Sequence, residues 1–476
     1  MRRDLTTLAG REHDLLVIGG GIYGAAAAWD AAQRGLAVGL IEASDFGSGV
    51  SWNSLKTIHG GLRHLQRLEL GLTRESMRER RAWLRIAPDI VRPLAFLVPT
   101  YGHGLEGRGA LALVLLANDW LTPDRNQGLP PERQIGRGRV LSAREVRELV
   151  PGLPDRGLTG GAVWTDAQVT SSERLLLGLL HAAAAGGAAL ANHAEAVGLL
   201  RCGPRIAGAR VRDREGGSEL EVRARVVVNA AGPGMHAILC LAGIAHPPPP
   251  LLEAMNLVLR RRLLATHALG ARSDGRYLFL VPWRDRTIVG TAYAPAGEPL
   301  RAADFLAEVS RAYPWAGLGS EDIALVHRGR VPGHRADALQ DRPLILDHET
   351  DDGVAGLISV LGVKYTTARG VAERVLDLAV SRLSRRVSRC RTAETPLPEA
   401  RPLDGSLEEQ ARCAVREEMA LHLADAVLRR LDLGSAGPPD PAALDAVARG
   451  MAEELAWSEG RVADERRALA EVYRTD

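Results

Sequence analysis

Asp14-Leu-Leu-Val-Ile-Gly-Gly-Gly-Ile-Tyr-Gly24 joins a short apolar run to a glycine-rich turn. The run reads as a strand buried on both faces of a parallel sheet. The Ala-rich stretch from Ala25 to Arg34 reads as a helix ended by Gly35. Leu36 to Ile41 is a second apolar strand, closed by Glu42. Strand, GxGxxG, helix, strand, acid is the dinucleotide fingerprint in the context that gives it meaning. Gly19 permits the tight turn, Gly21 lets backbone approach a pyrophosphate, and Gly24 lets helix and strand pack closely. The helix N-terminus offers unpaired N–H groups to phosphate. Glu42, 18 residues beyond Gly24, is placed for ribose hydroxyls.

Outward from that unit the elements are less regular. Residues 45–66 read as a Gly-rich loop and a helix. Leu111 to Ala117 reads as a buried helix, and residues 160–228 as strands and a long helix ending in the buried run Ala224 to Gly232. Pro247 to Pro250 suits a domain crossing. Residues 253–293 read as β-rich, notably Tyr277–Trp283 and Thr287–Thr291. Gly356 to Val360 reads as another strand, with a helix from Ala368. A Pro-rich linker at 395–403 precedes a helical tail.

Composition excludes several classes. The 476 residues, 46% apolar and 25% charged, describe a globular chain able to bury a large core. No run reaches the length of a spanning helix, and the N-terminus lacks a signal-peptide core, so a cytoplasmic protein is expected. Cys202, Cys240, Cys390 and Cys413 are too scattered for a disulfide framework or zinc site, and no metal is expected. The net charge of +2 gives no reason to expect nucleic-acid binding. Of the 60 basic residues only Lys56 and Lys364 are lysines. A lysine surviving such arginine enrichment suits a tight pocket that admits an ammonium and not a guanidinium.

Four blocks then carry a resemblance. They are Asp14–Glu42; Ser54-Leu-Lys56-Thr-Ile-His59-Gly60-Gly61-Leu-Arg63-His64-Leu65; Val228-Asn-Ala-Ala-Gly232-Pro; and Gly362-Val-Lys364-Tyr-Thr-Thr367. Together they resemble the FAD-dependent glycerol-3-phosphate dehydrogenases, within the glutathione-reductase-like flavoproteins that include amino-acid oxidases. Val415–Leu421 and Met451–Trp457 resemble that family's helical tail, so the likeness covers nearly the whole chain. It implies an α/β fold: a Rossmann-like FAD-binding domain (1–80, 155–245, 335–392), a β-rich substrate domain (81–154, 246–334) and a C-terminal helical domain (400–476).

The resemblance also implies non-covalent FAD, contacted by Gly19, Gly21, Gly24, Glu42, Ser54, Lys56, His59, Gly61, Ala231, Gly232, Gly362, Lys364 and Thr366. A small substrate, glycerol 3-phosphate or a closely related hydroxy compound, would be oxidised by hydride transfer to the flavin. Arg63 is the first substrate-binding candidate and Lys364 the second. Electrons would pass to a quinone or another acceptor. Peripheral contact with the inner face of the cell membrane stays open, with six arginines between Arg74 and Arg92 as its candidate surface. Oligomeric state is not legible.

The substrate side departs from the family. His64 replaces a tyrosine, Glu253-Ala-Met-Asn256 replaces Lys-Gly-Ser-His, and Gly290-Thr-Ala-Tyr293 replaces Gly-Thr-Thr-Asp. In His327-Arg328-Gly329-Arg330-Val331-Pro332, Val331 takes the family's arginine position. A bulge or one-residue slip would bring Arg330 into the site. His64 and His327 are added candidate bases. A rewired glycerol-phosphate site and an FAD oxidase of another hydroxy or amino compound using O₂ both fit these changes.

Overall fold

The computed structural model describes residues 1–102, 107–335, 338–399 and 403–475. Its first sheet is built around His13–Ile18, whose six residues are all buried. That strand pairs in parallel with Val38–Ile41 on one side and Glu219–Asn229 on the other, Leu15 opposing Val38 and Val226. Ala189–Ala191 and Leu357–Leu361 extend the sheet in parallel, and Leu344–Asp347 closes one edge antiparallel. Burial on both faces is why these strands read as unbroken apolar runs.

The helix Ile22–Gln33 lies on one face, between Ser172–Ala185 and Ala368–Ser381. Its Ala25–Ala28 run is buried, and side chains that small let three helices approach one sheet closely. The opposite face is covered by Leu5–Ala9, Met235–Leu241 and the antiparallel pair Ala194–Cys202 and Arg205–Asp213.

Among the described residues the second sheet has ten strands. Leu251–Leu259 pairs with Arg286–Pro295 and Ile323–Arg335, and Val91–Tyr101 pairs with Leu158–Val169. Thr57–Ile58 joins this sheet by pairing with Leu158–Val169. Two segments expected in the FAD-binding domain, around 57 and 158–169, therefore lie in the β-rich sheet. The chain crosses between sheets directly after the first fingerprint, where no composition shift marks the passage.

The stretch expected as a buried helix at Leu111–Ala117 is a helix, Arg108–Trp120, but it is not buried. Leu115 is its one buried residue, while Leu113, Leu116 and Trp120 are 69%, 56% and 80% exposed. An apolar run alone does not distinguish a core helix from an apolar surface.

The tail forms helices Leu407–Glu418, Pro441–Leu455 and Glu459–Val472, capped by Ser406, Asp440 and Ser458 side chains. A π-helical turn, Asp425–Arg430, presents Arg429 and Arg430 to Asp45. Arg430 donates from both terminal nitrogens to the two Asp45 oxygens at 2.7 Å, and Arg429 Nε donates at 2.6 Å. Burial would raise the Asp45 pKa, but the two guanidinium groups hold it well below the usual range. The tail thus grips the loop that follows Glu42.

Candidate active site

The dinucleotide turn is closed by contacts that leave no room for side chains. Gly19 has φ +114°, and a Cβ there would lie 2.5 Å from the Ala230 carbonyl oxygen. A Cβ on Gly24 would lie 1.9 Å from the Gly19 carbonyl oxygen. Gly21 caps the following helix, whose Ile22 N–H donates to Ser51 Oγ at 3.0 Å; the helix N-terminus is where a phosphate would be met. Glu42 accepts from the Gly20 N–H at 2.6 Å and the Ser44 N–H at 2.9 Å, which fixes its carboxylate beside that turn. Burial raises its pKa. Ala231 and Gly232 begin a short 3₁₀ turn at the end of Glu219–Asn229, next to Gly19. These residues fit an adenine dinucleotide.

The second and fourth blocks meet in space. The His59 N–H donates to Thr366 Oγ at 3.0 Å, and the Tyr23 hydroxyl donates to the Lys364 carbonyl at 3.0 Å. A Cβ on Gly362 would strike the Tyr23 hydroxyl at 2.3 Å. Gly61 has φ +86° and starts the helix Leu62–Gln66, which carries Arg63 and His64. Beside it the Gly60 N–H donates to Asp166, which also pairs with Arg80. Gly61, His59, Gly362 and Thr366 are thus brought to one place, facing the end of the dinucleotide turn's helix.

Lys56 is not at that surface. Its ammonium is fully buried and bonds to the Trp52 carbonyl, Ser172 Oγ and Glu173 Oε1. Three donors meet three acceptors, so none is left for a flavin. The tight-pocket reading of this lysine holds, but the pocket is a structural one. Ser54 serves the same loop, its hydroxyl accepting from the Lys56 N–H at 3.2 Å.

Lys364 is on the substrate side. Its Nζ donates to His64 Nε2 at 2.8 Å and to the Asp341 carbonyl at 2.9 Å, and lies 3.3 Å from Asp341 Oδ1. His64 Nδ1 lies 2.7 Å from Glu69. An ammonium has no lone pair, so Nε2 accepts and the ring proton sits on Nδ1. Burial, then the Lys364 charge, lowers the His64 pKa against the pull of Glu69. Asp341 also attracts Arg67, 3.0 Å away, and Arg63, 4.0 Å away. Burial would raise the Asp341 pKa, yet Lys364 and Arg63 lower it.

Two candidate residues stand elsewhere. His327 is buried against Trp52, ring centroids 5.3 Å apart, and burial plus nearby Lys56 push its pKa down to about 3. It is a neutral core histidine, not a base at this site. Arg330 pairs with Glu253 at 2.8 Å. Residues 251–258 pair with 325–332 without a slip, the only irregularity falling at Val258/Leu259. Val331 therefore shares a face with His327 and Asn256, and Arg330 the opposite one. Sequence reasoning missed Arg67 and Asp341. Arg67 had a signal, a second arginine four residues after Arg63, at the end of the same short helix. Asp341 had none.

The chain matches the family model "FAD dependent oxidoreductase" over residues 14–378 and "C-terminal domain of alpha-glycerophosphate oxidase" over 370–462. It is 31% identical over 433 residues to a glycerol-3-phosphate dehydrogenase of Synechocystis, covering 85% of this chain and 77% of that one. It is 34% identical over 387 residues to one of Mycobacterium leprae, spanning 79% of this chain and 64% of the relative. The fold matches the glycerol-3-phosphate dehydrogenase of Bacillus halodurans complexed with FAD, with TM-score 0.77, 23% identity, and coverage of 99% and 96%. Fingerprint, helical tail and these relatives agree: the chain belongs to the FAD-dependent glycerol-3-phosphate dehydrogenase family of oxidoreductases.

Proposed function

We propose that the protein oxidises glycerol 3-phosphate, or a closely related small hydroxy compound, and passes the electrons to a quinone. The observation carrying this reading is the convergence of Arg63, Arg67 and Lys364 on a single carboxylate beside the Gly362–Thr366 loop. With Glu69 beside His64, three cations meet two acids, which still leaves an excess of positive charge suited to an anionic substrate. Bound FAD supplies the two-electron acceptor for the substrate's C2 hydride. The chain's own residues orient the substrate and carry its hydroxyl proton. Lys364 gives a proton to Nε2 of neutral His64 as it takes up the hydroxyl proton, and Glu69 holds the imidazole so that Nε2 faces Lys364.

A second reading rests on the departures in sequence: Val331 stands where the family carries an arginine, so an uncharged or amino substrate, oxidised with O₂ or another acceptor, also fits.

The quinone acceptor and contact with the inner membrane face find support in an apolar patch. Leu68 and Leu70, 81% and 49% exposed, flank the segment bearing Arg63, and helix Arg108–Trp120 packs near it. The Arg74–Arg92 stretch is a poorer lipid-binding surface than its composition suggests. Arg80 is buried on Asp166, and Arg74 and Arg81 both pair with Asp124. Among the described residues no helix is long and apolar enough to cross a membrane.

An anaerobic absorbance titration with sn-glycerol 3-phosphate tests the reading. Bleaching of the flavin band supports it. An oxidised spectrum that bleaches only with dithionite, or with amino or other hydroxy compounds, moves the assignment to the second reading.

A further inference from the structure

Arg63 lies in the short helix Leu62–Gln66 begun by Gly61, and Arg67 is the residue that caps its C-terminal end. Both reach toward Asp341 Oδ2, at 4.0 and 3.0 Å. Their side chains are 61% and 52% exposed, so neither is required by a core. Lys364 approaches the other oxygen of the same carboxylate at 3.3 Å. His64, which lies against Lys364, is neutral and adds no charge. The cluster therefore holds three positive charges against two carboxylates, Asp341 and the Glu69 that lies 2.7 Å from His64, and it is open to solvent on the arginine side.

We propose that Arg67 is a second substrate-binding arginine and that Asp341 is a resident counter-anion with which the substrate's phosphate competes. The inference deepens the proposed function and rests on its anionic substrate. The oxygen of Asp341 marks where a phosphate oxygen would be met by both guanidinium groups. A dianionic phosphate gains forked hydrogen bonds there that one carboxylate oxygen uses only in part. Asp341 repels that dianion while bridging Lys364 to the arginines, so it selects against weakly bound small anions. Arg67 touches the anionic end and no reacting atom, so its loss acts on binding and not on the chemical step.

Calorimetric titration of the FAD-loaded protein with inorganic phosphate, alongside steady-state kinetics, tests this. Arg67→Met should weaken phosphate binding and raise KM for glycerol 3-phosphate by about 10- to 100-fold, the range of a hydrogen bond to a charged group, with kcat within about two-fold. Arg67→Lys should fall between, keeping charge but losing the fork. Asp341→Asn should tighten phosphate by roughly five-fold, the scale of one partly screened charge at this distance. Arg330→Met, on the opposite sheet face, should change nothing. Wild-type phosphate affinity in both Arg67 variants, or weaker phosphate binding in Asp341→Asn, overturns the proposal. If phosphate binding follows the expected order while glycerol 3-phosphate fails to bleach the flavin, the anion site stands and the substrate reading falls.

Discussion

Lys364 Nζ stands 2.8 Å from His64 Nε2, an ammonium donating to a neutral imidazole. The His64 pKa is lowered by burial and then by Lys364. The unfolded chain therefore binds a proton at this position at higher pH than the folded one. This pair's contribution to stability is present above the ordinary histidine value, near 6.5, and is lost as pH falls through the lower folded value. Loss of kcat/KM on the acid side should follow the same lowered value. Lys364→Met removes one lowering cause, so the His64 resonance in labelled protein should titrate at higher pH. An unchanged titration would sink the assignment of Lys364 as donor.

Gly24→Ala should abolish tight FAD binding. The new methyl would lie 1.9 Å from the Gly19 carbonyl oxygen, a backbone atom with nowhere to go. Flavin fluorescence on dilution should show at least roughly ten-fold weaker retention, the effect of one lost backbone hydrogen bond to a charged group. Retention equal to wild type would show that the turn can open.

Lys56→Met should destabilise the protein by about 3–5 kcal/mol, because Glu173 would be left buried and unpaired. Both side chains are no more than 1% exposed. Guanidinium denaturation followed by tryptophan emission measures the loss. The double change Lys56→Met with Glu173→Leu should recover most of it, as removal of both charges leaves no orphan. A flavin spectrum altered in Lys56→Met, with stability intact, would return this lysine to the cofactor.

Leu113→Ser with Trp120→Ser should reduce sedimentation with anionic vesicles and slow quinone reduction there. Both residues are exposed and apolar on one helix. Reduction of a soluble dye should be unaffected. Equal vesicle binding by the variant would place any membrane contact elsewhere.

The nucleotide half of the site was legible because its constraints are local. Gly19, Gly24 and Glu42 sit within one strand–helix–strand unit, and each glycine answers a contact made inside that unit or beside it. Lys56 was misread because residue type and motif do not fix side-chain direction, and its stem runs inward to Glu173. Arg330 was misread because the face of a strand depends on pairing with Leu251–Leu259, far away in sequence. The exposed helix Arg108–Trp120 carries the composition of a core helix, so only tertiary packing could assign it. Asp341 reaches Arg67 across 274 residues, a distance at which spacing carries no information.

The Asp45–Arg430 contact orders events in the life of the chain. Glu42 and Asp45 leave the ribosome early, yet the partner that fixes their loop follows 385 residues later. Until the π-helical turn docks, Asp45 lacks both of its guanidinium partners, and the loop after Glu42 lacks its long-range anchor. A fully formed cofactor site should then require the finished polypeptide and not the N-terminal domain alone. By reciprocity, a loaded cofactor should hold the helical tail in place as firmly as the tail holds the cofactor.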